Sequence, residues 1–204
     1  MYLFYGRPAY GSKLGAKPST SIAYCPVCFV FKPYTISKKI ARIFPFDSGA
    51  SKDGLFEPHL PRLEVENFQL STTLESARRA TDLFFETNYK YYLGEPKQGL
   101  PIPATEKEAH KYYCLISHEG DDQYDDRRSV IEVQISTALT LRDTLLAVIL
   151  PLGFLEESYV RKALFEDWRT YPITYSTVRG TIPAQYGRVI ADKLQRFLKD
   201  GAYL

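Results

Sequence analysis

The chain alternates short apolar runs with polar, turn-rich stretches, and the spacing inside each run predicts its element. YLFY (2–5) is aromatic-rich and reads as a short strand. GRPAYGSKLGAKPSTS is a loop broken by Gly and Pro. IAYCPVCFVF (22–31) is apolar enough for a central strand. KPYTISKKIARIF starts with a helical turn after Pro33 and ends in a strand over 41–46. Residues 51–70 hold Pro58 and Pro61 and show no clear period, so they read as a long loop.

STTLESARRATDLFFETNYKYYLG carries the clearest helical period, through Leu74, Ala77, Thr81, Phe84, Phe85 and Tyr89. Thr72 and Glu75 form a capping-box pattern, and Gly94 with Pro96 supplies the stop. A short helix near 105–110 precedes KYYCLIS (111–117), which reads as a strand. SVIEVQIS (129–136) alternates, with Val130, Glu132 and Gln134 on one face and Ile131, Val133 and Ile135 on the other. LLAVILP (145–151) is a buried strand and ESYVRKALFEDW (157–168) an amphipathic helix. YPITYSTV (171–178) is an edge strand because Pro172 cannot donate to a ladder. PAQYGRVIADKLQRFLKDG closes as a helix, with Pro183 at its first turn and Gly201 past its end.

The sum is about seven strands and four to five helices without regular alternation. That predicts an α+β fold with a mixed or mostly antiparallel sheet. The 204 residues suit a single domain over 1–204, 45% hydrophobic and 25% charged. The longest apolar run, 145–155, is too short for a membrane span, and no signal-peptide pattern opens the chain. The expectation is therefore a cytoplasmic protein with no membrane partner.

Charge sharpens the picture at the N-terminus. Residues 1–53 carry eight basic side chains against two acidic ones, leaving the rest net acidic within an overall charge of +2. A basic quarter of this kind either faces an anionic ligand or is a solvated surface. The three cysteines are too few for a disulfide framework. Cys25 and Cys28 have zinc-knuckle spacing, with Cys114 and His118 as the nearest second pair. Their apolar setting favours buried thiols, and no metal is expected. His59, His110 and His118 have no motif partner.

Two residues stand out. Glu132 sits between Ile131 and Val133 in an apolar strand, where a carboxylate needs a partner or a wet face. With Gln134 it points either at solvent or at a ligand in a cleft. Arg7 ends the first strand, beside Tyr5 and Tyr10, and its planar fork suits phosphate oxygens.

FYGRPAY with Arg7, STSIAY with Ser19, Thr20 and Ser21, and IEVQIS with Glu132 together resemble the arginine–serine–glutamate branch of the ADP-ribosyltransferases. The resemblance implies NAD as substrate, with Arg7, Tyr10, Ser19, Thr20 and Ser21 around it. Arg7 would contact its phosphate or ribose, and Ser21 would brace the site. Glu132, with Gln134 nearby, would hold the nicotinamide ribose and stabilise the ribosyl cation. It further implies a protein or nucleic-acid target and a toxin or defence effector that needs no metal.

Two other readings stay open. HEGDDQYDDRRSVIEVQ offers Asp121, Asp122, Asp125 and Asp126 ahead of Glu132, a layout that suits a magnesium-dependent nuclease. Alternatively, YKYYLG, KYY and the terminal AYL, among 16 tyrosines and 12 phenylalanines, would form a surface for a partner protein.

Overall fold

A computed structural model describes residues 1–9, 17–57, 59–118 and 126–204, and the following concerns those residues. The chain forms two compact units: Met1–Gly11 with Lys39–Thr137 and Tyr203–Leu204, and Ser12–Lys38 with Ala138–Ala202.

The first unit holds an antiparallel sheet in the order β1-β4-β3. Its strands are β1 (Tyr2–Phe4), β3 (Ile40–Phe44) and β4 (Glu132–Ile135). The second unit holds β2 (Cys28–Phe31), β5 (Leu145–Pro151) and β6 (Tyr171–Tyr175) in the order β2-β5-β6. There β2 runs antiparallel to β5, and β6 runs parallel to it. The fold is α+β, but the sheet of about seven strands is replaced by two three-stranded sheets, six strands in all among the described residues. The helices also exceed four to five. They are α1 (Pro33–Ile36), α2 (Ser48–Lys52), α3 (Leu74–Phe85), α4 (Asn88–Leu93), α5 (Lys107–Ser117), α6 (Ser158–Lys162) and α7 (Tyr186–Asp200), with a π-helical segment, Ala163–Asp167, after α6.

Each departure has a local cause. IAYCPVCFVF is not one central strand. Ser21 caps a 3₁₀ turn at Ile22–Tyr24 by accepting the Ala23 N–H, Pro26 interrupts the run, and only Cys28–Phe31 pairs, at a sheet edge. Cys25 and Cys28 are half-buried and in no disulfide, and Cys114 is exposed beside His110, Sγ to Nδ1 3.6 Å. KYYCLIS is helical. Tyr112, Leu115 and Ile116 are its buried residues, and that i, i+3, i+4 spacing is a helix face rather than a strand alternation. The 51–70 loop contains the end of α2 and a 3₁₀ helix, Arg62–Phe68.

The long helix is two helices. Thr73, not Thr72, caps α3 by accepting the Ser76 N–H at 3.3 Å. Glu86 then takes φ 71°, which ends α3, and Thr87 caps α4. Gly94 at φ 70° closes α4 in the left-handed conformation that glycine adopts without steric cost.

Aromatic side chains fill the first unit's core. Phe46 meets Phe56 and Phe68 edge-on, and Phe84 meets Tyr112 edge-on at 4.8 Å between centroids. Burying each such ring stabilises the fold by roughly 1.5–3 kcal/mol. In the second unit Leu145, Val148, Leu150 and Leu164 pack with Phe31 and Trp168. Helix α7 buries Tyr186, Ile190, Leu194 and Leu198, a stripe at four-residue spacing, and packs against β5 and β6. No helix among the described residues is long and apolar enough to cross a membrane.

Candidate functional site

Strand β4 lies at the centre of the first unit's sheet, so both its faces are set by its neighbours. Phe4 and Phe44 lie opposite Glu132, while Tyr2 and Arg42 lie opposite Gln134. Directly opposed residues share a face. One face therefore carries Glu132, Gln134, Tyr2, Phe4, Arg42 and Phe44, and the other carries Leu3, Ile43 and Val133. The second face is core. The first grades from buried Phe44 to exposed aromatics, Tyr2 at 67% and Phe4 at 37%.

Glu132 is only 2% exposed on that first face. Its partners come from α2 and from its own strand. After β3, Pro45 and Phe46 lead to Asp47, which caps α2 by accepting the Ala50 N–H at 2.9 Å. Ser48 then presents both its donors to the carboxylate: Oγ–H to Glu132 Oε1 at 2.8 Å and N–H to Oε2 at 3.3 Å. The Gln134 amide donates to Oε1 at 2.6 Å and to Ser48 Oγ at 3.1 Å. The cross-strand cation that a buried carboxylate invites is otherwise engaged, since Arg42 pairs with Glu66 at 3.1 Å. Burial pushes the Glu132 carboxyl above the ordinary glutamate range, the Gln134 and Ser48 hydrogen bonds oppose this, and the Asp47 charge adds to it.

Arg7 belongs to the same unit but is not an open phosphate fork. It is 4% exposed. Its Nη1 donates to the Tyr91 carbonyl at 2.9 Å and to Ser129 Oγ at 3.4 Å, and its Nη2 pairs with Asp126 Oδ1 at 2.8 Å. The guanidinium carbon also lies 5.8 Å from the Tyr91 ring centroid. Tyr91 completes the clasp. Its hydroxyl donates to the Tyr5 carbonyl at 2.7 Å and accepts the Ile131 N–H at 3.0 Å. Arg7 thus ties β1 and α4 together where the chain enters β4.

Ser19, Thr20 and Ser21 lie in the second unit, before β2. Tyr10, Asp121, Asp122 and Asp125 lie outside the described residues. Asp126, the described acid of that run, is bonded to Arg7. Tyr91 and Tyr92 of YKYYLG and Tyr112 of KYY are buried, whereas Tyr89 of YKYYLG and the terminal Tyr203 are exposed. His59 and His118 do meet, ring to ring at 4.3 Å.

Sequence reasoning missed Ser48 and Tyr91. Ser48 follows an Asp with N-cap chemistry inside FDSGAS, a signal for a helix start but not for what its hydroxyl faces. Tyr91 sits among three tyrosines with nothing local to single it out. No family model, curated protein or solved structure matches the chain.

Proposed function

We propose that the protein is an NAD-consuming ADP-ribosyltransferase in which Glu132 stabilises the ribosyl cation. The observation that carries this reading is a buried carboxylate held, among the described residues, by the neutral donors Ser48 and Gln134, on a sheet face that also carries Tyr2 and Phe4. A carboxylate with no paired cation among the described residues, in a site of low dielectric, is suited to a positive charge that develops only during reaction.

In the proposed step the bond between the ribose anomeric carbon and the nicotinamide nitrogen breaks. Its electron pair leaves with nicotinamide, and the acceptor's nucleophilic atom bonds to the anomeric carbon and loses its proton. Glu132 opposes the ribose, Ser48 and Gln134 hold Glu132 in place, and the exposed aromatic rings offer surface to the nicotinamide. Arg7 takes a positioning part through its clasp, in place of phosphate contact. A cytoplasmic setting suits three cysteines that form no disulfide. No specific observation favours the nuclease or the interaction module.

Incubation with NAD labelled in the adenylate moiety, with and without cellular extract, tests the reading. It predicts free nicotinamide in both and label in protein or nucleic acid when extract is present. NAD recovered intact in both would overturn it.

A further inference from the structure

The second unit carries a surface cavity of about 390 Å³. Its polar wall is made by Ser19, Thr20, Ser21, Thr177, Arg179 and Tyr186. Two segments distant in sequence meet there through the backbone: the Ser19 N–H donates to the Thr181 carbonyl at 3.2 Å, and the Gly180 N–H donates to the Ser19 carbonyl at 3.3 Å. Hydrogen bonds also fix the wall's oxygens. Ser19 Oγ accepts the Ser21 N–H at 3.1 Å, and Ser21 Oγ accepts the Ala23 N–H at 3.3 Å. The Tyr186 hydroxyl is held on Val178.

Because both serine oxygens already accept, each keeps its O–H to donate outward. Arg179 adds a donor fork with no acidic or hydrogen-bonding partner among the described residues. No carboxylate lines the cavity among those residues. The surrounding charge has the same sign. By sequence the second unit carries thirteen basic against seven acidic residues, and the first thirteen against seventeen. A concave wall of donors in a basic unit selects an anion. A guanidinium with flanking hydroxyls matches phosphate oxygens, and the volume exceeds what a bare phosphate fills.

We infer that this cavity binds a small phosphate monoester, for which AMP serves as the probe, with Arg179 as its principal charge contact. This inference does not depend on the role proposed for Glu132.

Calorimetric titration of the full chain with AMP, inorganic phosphate and adenosine tests it. Expected are saturable AMP binding that weakens as salt rises, displacement by excess phosphate, and no binding of adenosine. Arg179 is exposed, so Arg179→Gln should keep the fold while AMP affinity falls at least about tenfold, the scale of a lost charge-assisted contact. Arg196→Gln, which removes a charge paired with Asp192 on α7, should bind AMP as the wild type does. Absence of AMP binding, equal affinity in Arg179→Gln, or phosphate binding as tight as AMP would each overturn the assignment.

Discussion

Glu132 and Tyr91 show how much can hang on one polar side chain in the first unit. The Glu132 carboxyl holds its proton to higher pH in the folded chain than the roughly 4.3 of a free glutamate. Between those two values the unfolded chain has already released its proton, so stability falls as pH rises through the window. Glu132→Gln removes that dependence. Urea midpoints measured across a pH series should therefore shift in favour of the variant as pH rises above about 4.3. A difference that stays flat, or moves toward the wild type, would contradict the burial-driven shift. Tyr91 fails differently. Tyr91→Phe leaves the Ile131 N–H without its acceptor, while the Tyr5 carbonyl keeps the Arg7 N–H at 2.8 Å, and one buried orphan costs about 1–3 kcal/mol. Chemical denaturation should report a loss in that range, and an unchanged midpoint would show that the clasp carries no stability.

At the scale of elements, local signals decided what was legible. Strand β5, the edge position of β6 and helix α7 follow from apolar runs, a proline and a clean helical stripe. The split between α3 and α4 does not, because the helical period continues across it. Only Glu86 at φ 71°, followed by a second threonine cap, reveals the break. KYYCLIS misleads because aromatic and β-branched composition favours a strand while its buried spacing is that of a helix. Gly94 joins element to site. A Cβ there would lie 2.8 Å from Arg7 Nη1, on a backbone that already disfavours any side chain. Gly99 has a similar φ of 64° with open space around it. Both alanine variants should lose the roughly 1–2 kcal/mol of backbone strain, and Gly94→Ala should lose more because Arg7 must move. Equal thermal shifts for the two would mean that the clasp tolerates the intrusion.

Over the whole molecule, the two-unit organisation was hidden because each unit is assembled from separated segments. Residues 39–137 interrupt the second unit, and no linker composition marks the joins. The charge division was partly visible as a basic N-terminal quarter, but its sign changes at unit boundaries that only the fold defines. The candidate site was half legible. A glutamate in an apolar strand marked Glu132, whereas Ser48 reaches it across 84 positions of sequence. The central claim is that Glu132 acts on the reaction and not merely on the fold. The most direct measurement is the rate of nicotinamide release at saturating NAD for wild type and Glu132→Gln, with both folds checked by circular dichroism. Loss of one preorganised electrostatic group predicts a fall of about 10²–10³-fold with the fold retained. A folded variant that releases nicotinamide at the wild-type rate would contradict it.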